Sequence, residues 1–142
     1  MQRLLSLIAS VTIILIIGTI RIRAAQIEPL FDVHGPTVVA FFPPVTQAEM
    51  SDGETDESLD DFQFYAKSAH SHLAKAGVDF HEVFAHSFRV RLGTKTITFH
   101  PAKLDVGYYL VAPGKKPHVE YGVMTDTDLL HLAGEYFDLA LK

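Results

Sequence analysis

At 142 residues, with 48% hydrophobic and 20% charged content, the chain has the composition of one folded domain rather than of a disordered segment. Its charge is uneven: residues 1–25 carry three arginines and no acid, which leaves nine Lys and Arg against seventeen Asp and Glu, a formal −8, in residues 26–142. A domain that acidic, without a basic stripe interleaved with aromatics, argues against nucleic acid as a partner, and the complete lack of cysteine excludes disulfides, thiol redox chemistry, thiolate catalysis and Cys-type zinc sites.

Residues 4–20 form an uncharged run of 17, with Arg3 before it and Arg21 and Arg23 after it. A secretory signal has an apolar stretch of about 7–15 residues and a membrane span about 17–25, so the run lies at their border. Residues 1–25 therefore read as a hydrophobic helix serving as signal peptide or membrane anchor. The flanking arginines make cleavage after Ala24 or Ala25 poor, and similar positive charge on both flanks leaves orientation open. The expected location is membrane-anchored or exported, in the cell envelope or secreted. No Asn is present, so no N-glycosylation acceptor exists.

Residues 26–35 read as a linker or short first strand, and residues 36–142 as the domain. Thr37–Phe42 (TVVAFF) is a continuous apolar run between Pro36 and Pro43, the pattern of a central strand buried on both faces. The Pro43-Pro44 pair ends it, because proline cannot donate to a ladder. A polar loop over 45–57 is expected to lead into a helix over 59–76, with Ser58 and Asp61 as a capping box and Gly77 as the stop. Phe62, Tyr65, Ala66, Ala69, Leu73 and Ala76 make its apolar stripe, while Phe64 falls near the polar side. The alternating segment 78–85 follows directly, which makes a β-α-β crossover with Thr37–Phe42. Segments 88–91 and 94–100 alternate around Gly93 as a hairpin. Then come a buried strand over 106–111, a Pro113-Gly114 turn and the strand His118–Tyr121. A final helix over 126–138 is capped by Thr125 with Asp128, its inner face being Leu129, Leu132, Ala133, Tyr136 and Phe137.

This order of strand, loop, long helix, strand, hairpin and closing helix resembles the thioredoxin-like fold over residues 34–140. The resemblance is carried by PTVVAFF, by the helix-to-strand passage AKAGVDFHEV, and by the end VGYYLVAPGKKPHVEYGVMTDTDLLHLAGEYF. It implies an α/β fold with a mixed β-sheet flanked by helices. The departures bear on function. Where the family places Cys-x-x-Cys, this chain reads Pro43-Pro44-Val45-Thr46, and where its redox members carry a cis-proline, Leu104-Asp105 stands, with Pro101 too far upstream. The stretch 87–100 is extended where the family usually has a helix. No family functional residue carries over, so the resemblance implies a scaffold and not an activity.

Each candidate site has a plainer structural reading beside it. Eight histidines suggest metal binding, yet His70 and His72 sit 200° apart on a helix and His81 and His86 face opposite sides of a strand. His34, His100 and His118 all fall near strand or loop ends and converge only if the fold brings them together. Seven carboxylates in 49–61 match no calcium loop and suit a solvated helix N-terminus. The serines lack a nucleophile elbow. No catalytic residue, metal ligand or cofactor is assigned. The preferred reading is a membrane-targeted, non-redox module that binds a protein or peptide through the loop 43–56, with Pro43, Pro44, Val45, Thr46, Asp52 and Glu54 as contact residues. The alternatives are a metal- or small-ligand-binding protein using the histidines and, behind it, a hydrolase with a dispersed site.

Overall fold

A computed structural model describes residues 28–42, 44, 53–102 and 106–141. It is a mixed α/β structure with two sheets and two helices in its described residues. The expected hydrophobic helix within 1–25 lies outside the described residues. Among the described residues no helix is long and apolar enough to cross a membrane.

The first strand, β1 (Leu30–Asp32), is followed by β2 (Thr37–Phe42), in which every residue is buried. Helix α1 spans Gly53–Lys75 and leads into β3 (Asp79–Phe84), which pairs in parallel with β2 from Thr37↔Asp79 to Phe42↔Phe84. Parallel neighbours need such a crossover, because a tight turn can join only antiparallel strands. Gly77, at φ +77°, ends the helix turn as expected.

The start of α1 differs from the sequence expectation. The helix begins at Gly53 rather than after Ser58, so Ser58 is an interior helical residue and not a cap, and Glu54 and Asp56 belong to the first turns rather than to a loop. The physical reason is the acidic run itself. Carboxylates in a first turn are favoured by the macrodipole, so the stretch that reads as a solvated loop also suits a helix start.

Strands β4 (Phe88–Leu92) and β5 (Lys95–Phe99) form the expected antiparallel hairpin. Its partner was not legible: β1 pairs in parallel with β4, making a separate three-stranded sheet in the order β1-β4-β5. Arg91 grips Asp32 with Nε at 2.5 Å and Nη2 at 2.9 Å, and Ser87 donates to Glu28 at 2.6 Å. These contacts, the first exposed and the second part-buried, fasten β1 alongside β4.

Strand β6 (Gly107–Val111) runs antiparallel to β2, and β7 (His118–Tyr121) antiparallel to β6, so the main sheet has the order β3-β2-β6-β7. Helix α2 (Asp126–Phe137) closes the chain with Thr125 as its cap: Asp128 N donates to Thr125 Oγ1 at 3.2 Å.

Both helices lie on one face of the main sheet. There Val38, Ala40, Phe42, Tyr108 and Leu110 pack with Phe62, Ala66, Ala69 and Leu73 of α1 and Leu129, Ala133 and Phe137 of α2. The three-stranded sheet covers the other face, where Val39, Phe41, Tyr109 and Val111 meet Val33, Phe88 and Val90. The flanking is thus helices on one side and strands on the other. Two covered faces explain why β2 and β6 read as continuous apolar runs rather than alternating ones.

Candidate functional site

The strand directions bring four strand ends to one end of the main sheet. The pairs Phe42↔Phe84, Phe41↔Gly107 and Gly107↔Tyr121 place the ends of β2, β3 and β7 beside the start of β6. Gly122 N donates to Val106 O at 2.8 Å, which turns the chain out of β7 at the same end.

Gly107 is what lets these segments close together. A Cβ there would lie 2.2 Å from the Glu120 carbonyl oxygen and 2.9 Å from the Phe41 ring. With no side chain in the way, the Phe41 ring meets Tyr121 edge to face, with centroids 5.8 Å apart.

Among the described residues, exposed apolar side chains stand at both edges of this end, Phe84 on β3 beside Phe42 and Tyr121 on β7 beside Phe41. Phe84 is 56% exposed, Tyr121 48% and Val123 41%, three of the five exposed large hydrophobics among the described residues. Pro44, also exposed, leaves β2 at the same end. Phe84 stands at right angles to the buried Phe42, so it is anchored on one side and open on the other. Of the six residues expected to contact a partner, Pro44 belongs to this end and Glu54 to the first turn of α1. Pro43, Val45, Thr46 and Asp52 lie outside the described residues.

Phe84, Tyr121 and Val123 were missed from sequence. Each closes or follows a strand with an inward-looking pattern, and nothing in 78–85 or His118–Tyr121 marks its last residue as open. The signal that was available is weaker: an aromatic at the final position of a strand, where the covering layer runs out.

Among the described residues, no cluster of three His, Asp or Glu side chains stands at this end. Tyr108 and Tyr109 are both buried in the sheet, and burial pushes each hydroxyl up to about 12, for Tyr108 partly offset by the nearby Met124 backbone. The Tyr108 hydroxyl points toward that backbone without completing a hydrogen bond among the described residues. Neither phenol is a base at neutral pH.

The histidines are dispersed. His70 stacks on Phe80 with centroids 5.0 Å apart, while His72 lies on the other flank of α1, near Asp126. His81 stacks on Phe31 at 4.7 Å, and its burial lowers its pKa. His86 falls in the bend after β3 rather than on the strand. His118 lies 3.4 Å from Glu120 and His131 3.4 Å from Glu135. His34, His100 and His118 do not converge, and among the described residues no three His, Asp or Glu side chains are placed to hold a metal ion.

The contact closest to a hydrolytic arrangement joins the helices. Ser68 Oγ donates to Asp126 Oδ2 at 2.7 Å, with His72 one turn along α1. That hydrogen bond holds the Asp126 carboxyl below its ordinary range. A carboxylate so stabilised is a poor proton acceptor, and the imidazole does not stand between hydroxyl and acid as a triad requires. The contact ties the helices together.

Comparison with protein-family models, with curated proteins and with solved structures finds no match to this chain.

Proposed function

We propose that this protein is a membrane-targeted, non-redox binding module of thioredoxin-like architecture, acting on a protein or peptide partner. The observation that carries the reading is the set of exposed apolar side chains, Pro44, Phe84, Tyr121 and Val123, at one end of the main sheet. Exposed aromatic and aliphatic groups on a rigid sheet end suit a partner's side chains, because they bring contact area at small ordering cost. The scaffold part of the reading is supported by chain order: a parallel pair joined across α1, then an antiparallel pair leading into a closing helix. Without cysteine, that scaffold performs no thiol exchange. The targeting part rests on the apolar run of residues 4–20, which anchors the domain to a membrane or directs its export.

The test pairs two changes in the full-length chain. Residues 45–52 are replaced by a Gly-Ser linker, and separately Tyr121 and Val123 are changed to Ser. Cross-linked partners recovered with the unaltered chain are expected to be lost from both. Recovery of the same partners in the same amounts from both variants would remove this sheet end as the contact surface.

A further inference from the structure

The main sheet ends at β3, and among the described residues no strand pairs with its outer edge. The ladder determines which backbone groups look outward. Asp79 N donates to Pro36 O at 2.9 Å, so residue 79 turns toward β2. Successive residues of a strand turn alternately, so His81 and Val83 also serve that ladder. Phe80, Glu82 and Phe84 turn their N–H and C=O groups away from it.

The same three residues share one face. Their partners in β2 are Val38, Ala40 and Phe42, all on the helix-covered side. Phe80 is half-buried against His70, Glu82 is exposed, and Phe84 is exposed. Among the described residues, the edge thus presents unpaired backbone donors and acceptors beneath a row that reads apolar, acidic, apolar. Its six residues, DFHEVF, include no Pro or Lys, and its pairing with β2 runs unbroken, so it lacks a bulge. Those are the usual devices that close an edge to added strands. Its charges, Asp79 and Glu82, repel an acidic strand and attract a basic one.

We propose that the outer edge of β3 is a strand-addition site for an extended peptide presenting apolar, basic and apolar side chains at alternate positions. The inference rests on the binding-module reading and specifies its mode. Backbone hydrogen bonds to Phe80, Glu82 and Phe84 supply sequence-independent affinity. A Lys or Arg opposite Glu82, with apolar neighbours two residues to either side opposite Phe80 and Phe84, supplies the specificity. Phe84 also belongs to the exposed end of the main sheet, at the edge where the added strand would lie.

A second copy of the chain fits less well. Two-fold pairing of β3 with itself keeps each face on its own side, so only alternate registers are open. Of the two with the greatest overlap, one sets Glu82 against Glu82. The other sets His81 against His81 and Glu82 against Phe80. Neither gives the acid an opposite charge.

Random-sequence peptides displayed on phage, selected on the full-length chain held in mild detergent, are the probe. Enriched peptides are expected to carry Lys or Arg with apolar residues two positions to either side. Glu82→Pro removes an outward N–H and no bond to β2, a position where an edge strand tolerates proline. It should weaken the enriched peptides about tenfold or more, read by fluorescence anisotropy. Glu82→Lys, which leaves the backbone alone, should turn selection toward Asp and Glu in the middle position. Enriched peptides that bind both variants undiminished would place the contact elsewhere, overturning the edge assignment while the binding-module reading stands. No enrichment at all would count against both.

Discussion

At Gly107 the ring of Phe41, the carbonyl of Glu120 and the backbone of Tyr121 crowd one point, and a methyl group there would sit 2.2 Å from that carbonyl. Backbone cannot yield as a long side chain does, so β6 and β7 would have to part. Gly107→Ala is expected to cost about 1–3 kcal/mol or more, the range for overpacking a tight site. Gly35 supplies the control, because nothing lies within 4 Å of a Cβ there and its φ is not positive. Gly35→Ala should stay within about 0.5 kcal/mol of the parent. Chemical denaturation of both variants decides the point: equal midpoints would mean that the closeness at Gly107 has no energetic weight. From sequence, Gly107 is one glycine among nine and opens a strand otherwise rich in large residues. Its role depends on a carbonyl 13 positions further along the chain, which spacing does not disclose. Phe84 and Tyr121 were hidden for a similar reason: an aromatic is exposed or buried according to what another element leaves uncovered.

The elements themselves were far more legible than their partners. Alternation, proline boundaries and the Thr125 cap located β2, β3, β4, β5, β6, β7 and α2, since each signal is local in the chain. Helix α1 was recognised but begun too late, because acids that suit a solvated loop also suit a first helical turn. Strand β1 has three residues, too few for periodicity to show, and its pairing with β4 spans 59 positions. The contact between β1 and β3 carries an expected pH response. His81 stacks on Phe31, and burial holds its pKa below 6.5, with Asp79 opposing the shift and His70 adding to it. A pKa lower in the folded state means that the unfolded chain binds more protons. Stability from neutral His81 is therefore full above about pH 6.5 and is lost as pH falls from there toward the lowered folded value. Asp32 and Asp126, also lowered, act only below about 3.8, so the windows are separate. His81→Leu should flatten the decline of Tm between pH 7 and pH 5. A variant that declines as steeply as the parent would show that His81 is not its source.

Across the whole molecule two cores share one sheet. Phe62 lies in the core beneath the helices and Phe88 in the core between the sheets, and both are fully buried. Because β2 and β6 contribute side chains to each, loosening one core exposes a face of strands that the other needs. The domain should therefore unfold in a single transition. Phe62→Ala and Phe88→Ala are each expected to lower that transition by about 3–5 kcal/mol, the usual cost of truncating a buried phenylalanine. Two separate transitions in either variant, seen by circular dichroism and calorimetry, would contradict this coupling. Sequence alone established the absence of thiol chemistry, because composition needs no coordinates. It also established the order of most elements, because hydrophobic period and turn residues act over a few positions. Only the tertiary structure decided that the second face of the main sheet is covered by strands, that the histidines stand apart, and that Phe84, Tyr121 and Val123 share one end. Each of these depends on contacts between residues far apart in the chain, whose encounter is governed by the packing of whole elements and not by the residues beside them.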